Sequence, residues 1–153
     1  MTATERFALD TNVLIYVFDG TEPDRRIRAM DVVRRASRSG RCFLSLQCVG
    51  EFLSALGRRR LVETGERVQI ARDMAALFPM FGIEPVDAEQ ALAAVALGRL
   101  SYWDALMLAT VARTGCTTLL TENMQDGAVH SGVTIRNPFA GDRLPAEIEA
   151  LLG

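Results

Sequence analysis

Apolar and polar positions fall into short blocks along the chain, and the period within each block names its element. Phe7–Leu9 is an apolar run that ends on Asp10, the pattern of a short buried strand. Val13–Phe18 then reads as helix and closes near Asp19 and Gly20. Pro23 and Asp24 open a long helix to about Ser39, with Ile27, Met30, Val33 and Arg34 on one stripe. Cys42–Leu46 reads as a second strand. The helix after it, about Gln47 to Arg60, carries Val49, Phe52, Leu53 and Leu56 at helical spacing. Thr64 and Gly65 read as a turn before a helix over Glu66–Phe78. Ile83–Val86 is predicted as a third strand. Asp87–Gly98 is an alanine-rich helix with Asp87 at its N-cap. Ser101 starts a helix to about Thr114. Cys116–Leu120 is a fourth strand and Val133–Arg136 a fifth, and the tail from Pro138 to Gly153 holds a short helix.

Strands that alternate with helices predict an α/β fold in layers, a mostly parallel sheet of four to five strands flanked by helices. The 153 residues suit one domain over 1–153. With 49% apolar and 24% charged residues, a packed core is expected, and a chain of this length needs no covalent staple.

Three cysteines, Cys42, Cys48 and Cys116, are odd in number and far apart, with no C-x-x-C pair. That argues against a disulfide framework or a zinc site and for a reducing compartment. His130 is the one histidine and has no Cys or His nearby, so it reads as a surface or loop residue. The start of the chain lacks a signal-peptide pattern, and no apolar run approaches the ~20 residues that span a bilayer. A soluble, cytoplasmic protein away from membranes is expected. The formal charge is -2, and all 17 basic residues are arginine, each a planar fork suited to phosphate or carboxylate.

In such sheets, function gathers where strands end and helices begin. Four acidic positions fall there. Asp10 ends the first strand and is followed by Thr11 and Asn12. Glu51 lies in the first half of the third helix. Asp104 is in the first turn of the helix begun by Ser101. The fourth is the segment Thr121, Glu122, Asn123, Met124, Gln125, Asp126 and Gly127 after the fourth strand. Carboxylates that converge stay ionised together only beside a cation, and all-oxygen sites favour Mg²⁺ or Mn²⁺. Each position also has a structural reading. Asp10 caps a helix; Ser101-x-x-Asp104 is the spacing of a capping box; Glu51 is a solvated helix residue; the 121–127 segment is a polar turn.

The local contexts go further. LDTNVLIYVFD around Asp10 resembles the opening motif of PIN domains, an apolar strand ending in D-T/S-N before an apolar helix. SLQCVGEFLSAL sets Glu51 where that family carries its second acid. SYWDALMLATVARTGC sets Asp104 in a pattern similar to its third. LLTENMQDG and GVTIRNPF resemble the closing segment of bacterial VapC-type toxins. The segments run in the family's order from residue 7 to residue 139.

The resemblance implies a three-layer PIN-like fold and a Mg²⁺- or Mn²⁺-dependent endoribonuclease, the toxin of a toxin–antitoxin pair. Asp10 and Asp104 would bind the ion most directly, and Glu51 would bind it or orient its water. Thr11, Asn12, Ser101 and Thr121 would orient carboxylates or contact phosphate. One departure stands out: where the family often has a fourth acid this chain has Asn123, whose amide can still orient a water or coordinate through its oxygen; Glu122 and Asp126 flank it and could supply the charge, and Asp126 is taken as the substitute. The implied partners are RNA, a VapB-like antitoxin whose C-terminal segment covers the site, and a second copy in a homodimer. Arginines cluster at Arg25, Arg26, Arg28, Arg34, Arg35, Arg38 and Arg41, and again at Arg58, Arg59 and Arg60. They read equally as solvated helix faces and as a phosphate-tracking surface. Tyr102 and Trp103 are the best-placed aromatics for stacking on RNA, with core packing the expected place of Trp103. Two other classes stay open. One is a degenerate PIN module that binds RNA or protein without cutting, motivated by Asn123. The other is a different Mg²⁺ phosphohydrolase, which would want an acid where Asn12 stands.

Overall fold

The computed structural model describes residues 4–153. In chain order the elements are β1 (Phe7–Leu9), α1 (Thr11–Tyr16), α2 (Pro23–Ser39), β2 (Cys42–Ser45), α3 (Leu46–Arg58) and α4 (Thr64–Leu77). Then come β3 (Met80–Phe81), α5 (Pro85–Ala96), α6 (Tyr102–Arg113), β4 (Thr118–Leu120), β5 (Val129–His130), β6 (Val133–Arg136) and α7 (Ala146–Leu152). The sheet runs β3-β2-β1-β4-β6-β5 and is parallel except where β5 meets β6. β1 and β4 are buried at every position, which is why each is a short unbroken apolar run rather than an alternating one.

Because β2, β1 and β4 are neighbours and parallel, their C-terminal ends share one edge. Phe7, Leu44, Phe52, Leu119 and Ile135 are fully buried beneath that edge, and Ile148 and Leu151 of α7 join them. Ser45 caps α3, its Oγ accepting the Cys48 N–H at 3.0 Å, so α3 begins at Leu46, inside the stretch read as strand. α4 likewise takes in Thr64 and Gly65, read as a turn.

The third strand lies at Met80–Phe81, not at Ile83–Val86. Pro85 starts α5 instead, since its fixed φ and missing N–H suit the first helical position. Asp87 is therefore one turn inside the helix, where its carboxylate accepts the Glu84 N–H at 2.8 Å and completes a capping box. The sheet gains a sixth strand, β5. It carries His130, which is half-buried.

α5 packs on α6 through small residues: Ala91, Ala105 and Leu106 form their own buried cluster. Asp87, fully buried, meets Arg113 near the far end of α6, with Nε 2.9 Å from Oδ1 and Nη2 3.0 Å from Oδ2. The same guanidinium donates to the Gly82 carbonyl at 2.6 Å and to Glu84 at 3.1 Å. Burial raises the Asp87 carboxyl, but the Arg113 bonds, the Glu84 N–H and the Arg113 charge outweigh it and hold the pKa below its ordinary value.

Much of the first arginine run fastens the chain to itself. Arg28 donates to the carbonyls of Pro138 and Gly141, Arg35 to those of Glu149 and Gly153, and Arg41 to those of Glu5 and Leu151. The planar fork is used here on backbone carbonyls of the tail and N-terminus.

Candidate active site

Asp10 follows β1 directly and is the N-cap of α1, so the capping role is real. Its Oδ1 accepts the Thr11 N–H at 2.7 Å. Its Oδ2 accepts the Thr121 hydroxyl at 2.7 Å and the Asn12 amide at 3.2 Å. The residue is 8% exposed. Burial raises its pKa most; the Thr121 and Thr11 bonds pull it down; the charges of Glu51 and Asp104 raise it again, and the net direction is up. The last two causes place Glu51 and Asp104 within electrostatic reach of Asp10, although the three are separated by tens of residues in the chain.

Glu51 sits on α3 with its carboxylate held from two sides. Oε2 accepts the Thr11 hydroxyl at 2.9 Å, and Oε1 accepts the amide of Gln47, one turn earlier, at 2.8 Å. Asp104 lies in the first turn of α6, where its N–H donates to the Ser101 hydroxyl at 3.3 Å. Only that half of a capping box forms. The Asp104 carboxylate makes no hydrogen bond or ion pair among the described residues, so its charge is unspent and is felt at Asp10.

Thr121, at the end of β4 and fully buried, ties the site together. Beyond Asp10, its Oγ1 lies 3.1 Å from the Asn12 amide and 3.1 Å from the Asn123 N–H. A cleft of about 650 Å³ opens here, lined by Thr11, Asn12, Glu51, Arg58, Glu122 and Asn123 among others. A hollow of about 720 Å³ lies elsewhere, between α5, α6 and β5, and none of the four acids lines it. Of the four acids, Glu51 lines the smaller cleft, while Asp10, Asp104 and Asp126 do not.

Asp126 does not line the cleft. Its Oδ1 accepts the Asn137 N–H at 2.8 Å, which secures the turn before β5 to the end of β6. Glu122 does line it, but its carboxylate is taken by the Tyr16 hydroxyl and the Arg25 guanidinium. Tyr16 and Gln47 are thus site residues absent from the sequence reading. For Gln47 the signal existed, a Gln four residues before Glu51 on one helix face. For Tyr16 there was none. Of the second arginine run, Arg58 and Arg59 line the cleft. Arg59 reaches Asp19 at 3.5 Å, while Arg58 has no polar partner among the described residues. Trp103, expected in the core, is 61% exposed beside Asp104, its ring edge-on to Tyr102 at 5.3 Å.

As the side chains stand, no three acid, His or Cys groups among the described residues converge on one point at ligating distance. The donor set nevertheless suits a hard divalent cation. Three carboxylates share one edge, and two buried amide oxygens beside them, Asn12 Oδ1 and Gln47 Oε1, have no donor. Buried acceptors of that kind are costly unless something supplies a proton or a positive charge.

Comparison with known proteins accords with this arrangement. The chain is similar in structure to Mycobacterium tuberculosis VapC20, a sarcin–ricin loop cleaving toxin: TM-score 0.60, 18% identity, over 74% of this chain and 86% of that one. It is also similar to a toxin–antitoxin complex from Klebsiella pneumoniae: TM-score 0.59, 24% identity, over 83% of this chain and 94% of that one. At these identities the likeness concerns the fold. No curated protein matches. The family model for the PIN domain matches residues 7–125, the stretch from β1 through the segment after β4 that holds Asp10, Glu51, Asp104 and Thr121. With its acids on one edge of a parallel sheet and that match over most of its length, the chain belongs to the PIN-domain family.

Proposed function

We propose that this chain is a divalent-metal-dependent endoribonuclease that serves as the toxin of a toxin–antitoxin pair. The observation that carries the reading is the gathering of Asp10, Glu51 and Asp104 at one sheet edge, close enough for two of them to disfavour ionisation of the third. Asp10 and Asp104 would hold Mg²⁺ or Mn²⁺ most directly, and Glu51 would bind it or orient its water. A bound ion there supplies positive charge to a phosphodiester and makes water more acidic.

The chain's own groups do the rest. Thr11, Thr121 and Asn12 fix the Asp10 and Glu51 carboxylates so that little reorganisation is needed. Gln47 Oε1 and Asn12 Oδ1 are acceptors that can orient an attacking water. Arg58, two turns after Glu51 on α3, offers an unspent fork to a flanking phosphate. Trp103 stands exposed next to Asp104 and offers a ring to an unstacked base. The proposed partners are structured RNA, an antitoxin segment that fills the cleft, and a second copy of the chain.

The test is cleavage of a structured RNA by the purified chain with Mg²⁺ or Mn²⁺, compared with Asp10→Asn. Metal-dependent cutting that the substitution abolishes supports the reading. A chain that binds RNA yet never cuts with either ion would favour the second reading, a binding module without catalysis. Asn123, a neutral residue in the cleft wall, is the observation behind that alternative.

A further inference from the structure

Arg25 stands where a helix least favours it. It is the third residue of α2, and the N-terminal end of a helix dipole repels a cation. Its neighbours compensate. The guanidinium pairs with Glu122 of the segment after β4, and Nη1 lies 3.0 Å from the Tyr16 hydroxyl, which itself donates to Glu122. Its central carbon lies over the rings of Tyr16 at 5.2 Å and Phe139 at 5.6 Å, which meet each other edge-on at 4.9 Å. Glu22, three residues earlier, adds a weak pair at 3.9 Å. Four side chains, from α1, the N-cap of α2, and the segments after β4 and β6, thus converge on one cation, and two of them, Tyr16 and Glu122, line the cleft.

A second free carboxylate beside Glu51 in that cleft would oppose every phosphate that enters. We propose that Arg25 is a positioning residue that masks Glu122: with Tyr16 it pins the carboxylate to the wall and cancels its charge. Of the two carboxylates that line the cleft, Glu51 is then the one whose charge no cation pairs, and Glu122 adds none for the RNA backbone to meet. This rests on the nuclease reading for its substrate. It differs from a phosphate-binding role for Arg25, because the guanidinium already has its anionic partner, Glu122, within the protein.

The charge arithmetic gives the test. Binding of a fluorescently labelled single-stranded RNA oligonucleotide is measured by anisotropy for the full chain and for Arg25→Ala, Glu122→Gln and the double variant, with cleavage followed in parallel. Arg25→Ala unmasks Glu122 and should weaken binding about tenfold at low salt, the scale of one unit charge across a cleft. Glu122→Gln leaves Arg25 unopposed and should tighten binding. The double variant should return to within about twofold of the parent, and both single effects should shrink as salt rises. Arg25→Ala and the double variant equally weak would overturn the inference, since the arginine would then act on phosphate itself or through packing alone. If Arg25→Ala does not fold, Glu122→Gln still decides, because weakened binding in that variant contradicts a masked charge. A parent chain that binds but never cuts removes the nuclease reading and leaves this inference standing. Cutting that is identical in all four chains, with equal affinities, does the reverse.

Discussion

The Thr11 hydroxyl donates to Glu51 Oε2 at 2.9 Å, joining the first residue of α1 to the middle of α3 across 40 residues of chain. The same residue's N–H donates to Asp10, so one threonine holds two of the three acids. Thr11→Val keeps the shape and removes the hydroxyl. A hydrogen bond to a charged group is worth about 1.5–3 kcal/mol, and loss of orientation should lower kcat/KM roughly tenfold or more. Stability should change by about 1 kcal/mol. Thr11→Ser, which keeps the hydroxyl, should restore most of the rate. Initial rates on one RNA at saturating Mn²⁺ measure this, and a valine variant at the parental rate would refute it.

Three donors converge on the Asp10 carboxylate: the Thr11 N–H, the Thr121 hydroxyl and the Asn12 amide. An amide at this position keeps the volume but cannot accept all three or bind a cation as well. Asp10→Asn should therefore abolish cleavage. It should also abolish stabilisation by metal, which in the parent follows RT ln(1 + [M]/Kd), about 2.7 kcal/mol at a hundredfold excess over Kd. Melting curves with and without Mn²⁺ read this directly. A variant that still gains a comparable Tm shift from Mn²⁺ would show that the ion binds elsewhere.

The acids at strand ends were legible because β1 and β4 announce themselves as unbroken apolar runs, and a parallel sheet then fixes which ends share an edge. Asp104 was legible through Ser101, whose capping needs only the hydroxyl and leaves the carboxylate free. The fourth acid was not. Glu122 and Asp126 lie in one polar segment, and which enters the cleft depends on a tyrosine and an arginine more than 90 residues away. Ile83–Val86 has strand composition, but Pro85 and the Glu84–Asp87 box make it a helix start. Met80–Phe81 is too short to show any period. The exposure of Trp103 was hidden for a related reason, since a tryptophan in an apolar helix reads as core whichever way that helix turns.

The Asp87–Arg113 pair should make the α5–α6 hairpin sensitive to acid. Burial opposes the Asp87 charge, yet the Arg113 bonds win, and the folded pKa lies below the ordinary 3.8. On acidification the unfolded chain takes up the proton first. The pair's contribution is thus complete above about pH 5 and is lost as pH falls through the folded pKa. Arg113→Met should cost about 3 kcal/mol at neutral pH, because it strands a buried carboxylate, and adding Asp87→Asn should recover part of that loss. Urea unfolding at pH 7 and near pH 3 tests both points. A double variant as acid-sensitive as the parent would assign the sensitivity to other groups.

Trp103 is the only tryptophan in the chain, so its fluorescence reports on one place. It is 61% exposed beside Asp104, and Met107, one turn along the same helix face, lies 3.5 Å by its sulfur from the Ser45 hydroxyl that caps α3. The ring thus stands in solvent in the first turn of α6, the turn that also carries Asp104. Stacking on a base there is worth about 1–3 kcal/mol and quenches the indole. Titrating non-cleaving Asp10→Asn with a single-stranded RNA should quench the emission, and an abasic ribose-phosphate strand of equal length should not. Trp103→Ala should weaken binding of the first strand alone, about tenfold. If dilution of the protein without RNA shifts the emission instead, and neither strand quenches it, the ring is covered by a second copy and serves assembly rather than substrate.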